Sequence, residues 1–174
     1  MKNEKLNELT LAALIAALYV ILPMIANMFG LGSGVIQVRI SEALTILPMF
    51  TWAAVPGLCI GCGLANLMTG CALWDIILGS LATLIGALGT YHIGRKIPVL
   101  GPVFPILANC IIVPFVLQYV YGSPDSYWFM FITVGIGEVI SCGLIGGILY
   151  KALKKRKVFD HLNLKRMEDE QWFT

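Results

Sequence analysis

Residues 40–70 read ISEALTILPMFTWAAVPGLCIGCGLANLMTG, and Glu42 is the single charged residue among these 31 positions. A continuous helix of that length would measure roughly 45 Å, half as long again as a hydrocarbon core about 30 Å thick. One straight span is therefore too long. Pro48 and Pro56 mark where the chain can bend, because proline removes a backbone donor and clashes with the preceding turn. The run divides into two short helices, at about 41–51 and 55–68, turning near 52–56, with Ser41 as the expected N-cap of the first. Helices this short must tilt, be buried by neighbours or line a cavity.

The composition supports a membrane setting. Of the 174 residues 58% are apolar and 13% charged, with a mean hydropathy of +0.83, whereas soluble domains have roughly 45–50% and about 25%. The net charge of +2 is small and its basic residues sit in a few blocks, a pattern of membrane orientation and not of nucleic-acid binding. The five cysteines lie in apolar segments, where free thiols pack as small apolar groups.

Working outward from residues 40–70, a first span covers 9–29. It is too long for a signal peptide and lacks an A-x-A site. Gly30-Leu-Gly-Ser-Gly34 ends it and an extended stretch leads to Arg39; no Gly-Lys-Ser/Thr follows, so this is not a phosphate loop. On the other side come spans at 74–93, 103–121 and 127–149, separated by Arg95-Lys96 and by Gly122-Ser-Pro-Asp125. The total is six. Six places Lys2, Lys5, Arg95, Lys96 and the block from Lys151 to Lys157 on one side and leaves Arg39 as the only basic residue on the other; five would put one of the basic blocks outside, against the positive-inside rule. The expected fold is an all-α integral membrane protein of six transmembrane helices with both termini cytoplasmic, organised as a polar start at 1–8, a membrane domain at 9–151 with an outer loop at 30–40, and a basic tail at 152–174 that is either amphipathic on the membrane surface or simply solvated.

Few ionisable residues fall inside these spans, and each needs an account. Glu138 lies about twelve residues into the sixth, where an acidic group costs roughly 2.5–3.5 kcal/mol to insert; a ligand or an interhelical hydrogen bond are the two explanations. Gly135 and Gly137 allow close approach of either. Asp75, beside Trp74, is a ligand contact or a helix cap. Asn66 and Asn109 either pin helices together or bind. Arg39 and Glu42 are i, i+3 neighbours that can pair. Together Arg39, Glu42, Asn66 and Asp75 fall in the outer third of the six-span threading, with Asn109 and Glu138 deeper, as in a pocket open to the outside.

Other patterns carry less. Cys59-Ile-Gly-Cys62 has no second pair or histidine beside it, so no metal site is expected. Gly57-x-x-x-Gly61, Gly143-x-x-x-Gly147, Ala12-x-x-x-Ala16 and Ala13-x-x-x-Ala17 are small-residue packing motifs. His92 and His161 both sit at span ends, which leaves no histidine base within the membrane and disfavours an enzyme.

The run Gln37-Val-Arg-Ile-Ser-Glu-Ala-Leu-Thr-Ile-Leu-Pro48, the Asn66 region, the run from Trp74 to Thr83 and Gly137-Glu138 resemble the queuosine precursor transporter family, substrate-binding (S) components of energy-coupling factor transporters. The resemblance covers nearly all of residues 9–151. It implies a six-helix subunit in the cell membrane that captures a micronutrient outside and hands it to a transmembrane coupling protein and two ATPases, with ATP used by those partners and no cofactor in this chain. It also implies that Ala12, Ala13, Ala16 and Ala17 dock the coupling protein and that the loop after the first helix acts as a lid. A 7-deazaguanine offers adjacent N–H donors, which suit Glu138, and a carbonyl, which suits Asn109, Asn66 or Arg39; Trp74, Tyr127 or Trp128 would stack on its ring. Glu42 and Asp75, if ionised, leave the site net negative, which would favour an aminomethyl cation over an uncharged nitrile. The rival readings are an S component for another flat vitamin and a stand-alone carrier in which Glu138 or Asp75 takes up ions.

Overall fold

The computed structural model describes residues 2–28 and 38–156. Among them the regular structure is all helical. Helix α1 spans Lys2–Met28, a 3-10 helix spans Ile40–Met49, and α2 spans Ala54–Met68. Helix α3, Leu73–Gly89, runs on through a π-helical turn at Thr90–Gly94. Helix α4 is Val103–Tyr119. Helix α5, Tyr127–Glu138, continues through a second π-helical turn, Val139–Ile145, into α6, Gly146–Arg156. Four helical rods among the described residues are long and apolar enough to cross a membrane: Lys5–Met28, Leu73–Gly94, Pro98–Tyr119 and Tyr127–Arg156. Their outward faces carry Leu14, Ile21, Ile77, Ile111, Ile132 and Leu144 largely exposed. So much contiguous apolar surface is stable only where the solvent is itself apolar, and the protein is a membrane protein.

The 40–70 stretch divides as its prolines suggest. Pro48 is buried inside the 3-10 helix, and the chain turns at 50–53. Pro56 sits in the first turn of α2, where a missing N–H goes unnoticed. At about 2.0 Å per residue ten residues of 3-10 helix reach roughly 20 Å, and fifteen of α-helix reach roughly 22 Å; neither crosses a full core unaided. The first short helix differs from expectation in two respects. It is 3-10 and not α, with Leu47 O accepting from both Phe50 and Thr51, and its N-cap is Arg39, in extended conformation, so that Ser41 lies inside it. Three residues per turn place Arg39, Glu42 and Thr45 in one file. Positions 41–49 are all buried, so this helix forms the centre of the bundle.

Small residues set the directions of the outer helices. A methyl group on Gly57 would lie 2.7 Å from the Ala12 carbonyl oxygen, and one on Gly61 would lie 2.8 Å from Tyr19 Cβ and 3.0 Å from Ala16 Cα. Residue numbers rise together along this contact, so α1 and α2 are parallel and the 3-10 helix makes the return between them. Gly86 and Gly89 admit Pro105 and Phe104 of α4, which brings α3 and α4 together as an antiparallel pair around the Thr90–Gly101 connection, where Thr90 Oγ1 donates to Gly101 O at 2.9 Å. Gly143 and Gly147 form no such contact: a methyl on Gly147 would meet nothing within 4 Å. The apolar core gathers Ile15 and Tyr19 of α1, Leu44 and Leu47 of the 3-10 helix, and Val55, Leu58 and Cys62 of α2. The loop expected at 30–40 lies outside the described residues up to 37, and so does the tail from 157 onward.

Candidate functional site

Among the described residues Glu42 is the most deeply enclosed charged one, with no exposed surface. Its Oε1 accepts a hydrogen bond from Tyr19 of α1, while its Oε2 has no partner. Thr45, one 3-10 turn on, donates to the Glu42 carbonyl at 2.6 Å. On the facing rod Glu138, 4% exposed, ends α5 where the π-helical turn begins; such turns cluster at functional sites because they re-aim the side chains after them. Cys142, one turn further, donates to Glu138 Oε2 at 3.2 Å and approaches the Glu42 carbonyl at 3.4 Å. Carboxylate oxygens of Glu42 and Glu138 and the Cys142 sulfur lie within 4.8 Å of one another. Asn109, buried in α4, places its amide beside both carboxylates, yet its Nδ2 makes no hydrogen bond, and neither does the buried Ser141 Oγ.

A second polar chain leads outward. Arg39 donates to Asn66 Oδ1 at 3.3 Å, and Asn66 Nδ2 reaches the Asp75 carbonyl at 3.5 Å. Gly79 makes room for this amide, since a methyl there would come within 2.9 Å of Asn66 Nδ2. Asp75 is in the first turn of α3, whose N-cap is Ala72; its Oδ2 accepts from Tyr121 at 2.9 Å, and Tyr121 in turn accepts from the Ala72 N–H at 3.0 Å. Arg39, Asp75, Thr133 and Glu138 line a small cleft of about 80 Å³ whose other walls are Val113, Val116, Leu117 and Val134. Asp75, which lines the cleft, stands at the N-terminal end of α3, and Arg95 and Lys96 follow the other end of that rod.

The residues expected at the site therefore separate. Arg39, Glu42, Asn66, Asp75, Asn109 and Glu138 come together, although Arg39 hydrogen-bonds Asn66 while Glu42 is held by Tyr19. Trp74 and Trp128 are 60% and 70% exposed, on the outer surface, and Tyr127 donates to Ile111 O at 3.0 Å; none of the three lines the cleft, whose walls are aliphatic. Ala12 and Ala16 are taken up by the contact with Gly57 and Gly61, while Ala13 and Ala17 stay exposed. Gly135 serves helix packing, a methyl there meeting Cys110 Sγ at 3.2 Å. Tyr19, Thr45, Ser141, Cys142 and Tyr121 are not apparent as site residues from sequence. Cys142 had a signal: it lies one helical turn beyond Glu138, on the same face.

Expensive polar groups drawn from α1, the 3-10 helix, α2, α4 and the α5 rod to one interior define a membrane protein built to hold a small polar molecule. Residues 9–155 match the family described as QueT transporter, and the chain belongs to that family, which is one of transporters and not of enzymes. Over 86 residues it is 36% identical to the queuosine precursor transporter QueT of Lactococcus lactis subsp. cremoris (strain MG1363), a stretch that covers 49% of this chain and 50% of that protein. The chain thus spans about half the length of the curated relative it matches. No solved structure matches at a significant level.

Proposed function

We propose that the protein is the substrate-binding component of an energy-coupling factor importer, capturing a queuosine precursor of 7-deazaguanine type outside the cell and passing it to a membrane coupling protein and two ATPases. On this reading all six helical segments traverse the cell membrane, both termini are cytoplasmic, and the cleft mouth faces outward. The observation that carries it is the convergence of Arg39, Glu42, Asn66, Asn109 and Glu138, of which Arg39 and Glu138 line a cleft together with Asp75. Family membership and the QueT relative support the cargo class.

A flat heterocycle fits the chemistry. The aliphatic walls Val113, Val116, Leu117 and Val134 remove its faces from water, while carboxylate and amide groups match its polar edge. If Glu42 and Glu138 are both ionised against Arg39, the negative charge left there favours a precursor with a cationic aminomethyl arm. Of the alanines on α1, the exposed Ala13 and Ala17 remain to receive the coupling protein.

The test is to purify the protein from cells that make or import such precursors and identify the bound small molecule by mass spectrometry. A deazapurine is expected; a different flat vitamin in its place would refute the assigned cargo. Uptake should vanish when the partner ATPases are deleted. Uptake that persists would refute the importer assignment and indicate an ion-coupled carrier.

A further inference from the structure

Each of the two buried glutamates has one oxygen engaged and one left over. Tyr19 takes Glu42 Oε1, and Glu42 Oε2 is orphaned; Cys142 takes Glu138 Oε2, and the other Glu138 oxygen belongs to a side chain that lines the cleft. Beside them stands the orphaned donor Asn109 Nδ2. A buried polar atom without a partner costs about 1–3 kcal/mol, more when charged, and two of these three atoms, Glu42 Oε2 and Asn109 Nδ2, are buried without one, while the third belongs to a residue of the cleft wall. They amount to two acceptors and a donor. Building on the cargo reading above, we propose that these three atoms together form the base-reading edge of the site: the two carboxylates each accept one N–H from a ring that presents two adjacent donors, and Asn109 donates to the carbonyl next to them. Tyr19 and Cys142 are positioning residues that fix which oxygen of each carboxylate is free.

The arrangement selects a lactam edge with an exocyclic amino group. A ring that lacks the amino group leaves one carboxylate oxygen unmatched, and a ring with the donor and acceptor exchanged, as in an adenine, sets an acceptor against a carboxylate. Tyr19 also lies on the face of α1 that packs against Gly61, so the recognition edge depends on the seating of α1.

The experiment measures binding of 7-deazaguanine, 7-deazahypoxanthine and 7-deazaadenine by calorimetry to the full chain in lipid nanodiscs, for wild type, Tyr19→Phe, Glu42→Gln and Glu138→Gln. Wild type should prefer 7-deazaguanine over 7-deazahypoxanthine by about tenfold or more, since a hydrogen bond to a charged group is at stake. In Tyr19→Phe and Glu42→Gln the preference should shrink to less than about threefold, while 7-deazahypoxanthine itself still binds. A structural defect would instead weaken both ligands in parallel. If the wild-type preference survives in Glu42→Gln and Tyr19→Phe and disappears only in Glu138→Gln, then Glu138 alone reads the ring; the shared edge is refuted and the cargo reading stands. If wild type binds none of the three purines, the cargo reading falls and takes the edge with it.

Discussion

Replacing Gly61 by alanine should destabilise the bundle, while the same change at Gly147, in a motif of identical spacing, should not. A methyl on Gly61 would sit 2.8 Å from Tyr19 Cβ and 3.0 Å from Ala16 Cα, whereas carbon atoms settle at about 3.5–4.0 Å. Helix α1 would have to retreat by on the order of 0.5–1 Å, because the obstructing atoms are backbone or the first side-chain carbon and cannot swing aside. Overpacking of that kind costs about 1–3 kcal/mol, and the better helix propensity of alanine returns about 1 kcal/mol. The net loss is up to about 2 kcal/mol. At Gly147 nothing lies within 4 Å, so only the propensity gain remains, of about 1 kcal/mol at most. The protein carries its own reporters: Cys62, Cys110 and Cys142 are 1–3% exposed, so a thiol-reactive dye follows their exposure during thermal unfolding. Gly61→Ala should lower the midpoint and also weaken ligand binding, because it displaces Tyr19 from Glu42. Gly147→Ala should leave both unchanged or raise the midpoint slightly. Equal effects of the two substitutions would refute the assignment of the α1–α2 contact to Gly61.

Glu138→Gln should lower 7-deazaguanine affinity by about tenfold, equivalent to about 1.4 kcal/mol, without lowering the thermal midpoint, since glutamine keeps the shape of the side chain and removes a buried ionisable group; unchanged affinity in calorimetry would take Glu138 out of the site. Thr90→Val should do the reverse. It strips the Gly101 carbonyl of a buried hydrogen bond at a cost of about 1–3 kcal/mol, seen as a lower midpoint with binding intact, because Thr90 lies at the end of α3 away from the cleft. Cys71, in the turn between α2 and α3, should react with a membrane-impermeant maleimide applied to intact cells, and labelling only after lysis would invert the proposed orientation.

Much of this architecture was legible in the residues because each feature had a local cause. The apolar runs marked the long helices, although the first begins seven residues before its apolar run and the last ends seven residues after its own, and the length of 40–70 against the bilayer forced a division there that Pro48 and Pro56 positioned. The cost of an acid in hydrocarbon singled out Glu138 and Glu42, and polar residues in apolar segments singled out Asn66 and Asn109. Aromatic residues carried no comparable signal. Trp74 and Trp128 were expected to stack on a bound ring, and only the rotation of their helices, set by packing elsewhere, turned them outward.

What the chain determined by itself was which groups are too costly to leave unaccounted for, since burial of charge and helix length are properties of a residue and its immediate neighbours. Which oxygen of Glu42 is occupied, why Cys142 touches both glutamates and which alanines of α1 remain exposed were decided by contacts between segments far apart in the chain. Tyr19 meets Glu42 across 23 residues and Cys142 meets the Glu42 carbonyl across 100, and no local periodicity records such a meeting. Those pairings exist because Gly57 and Gly61 let α1 settle against α2 and because the 3-10 helix carries Glu42 into the centre of the bundle.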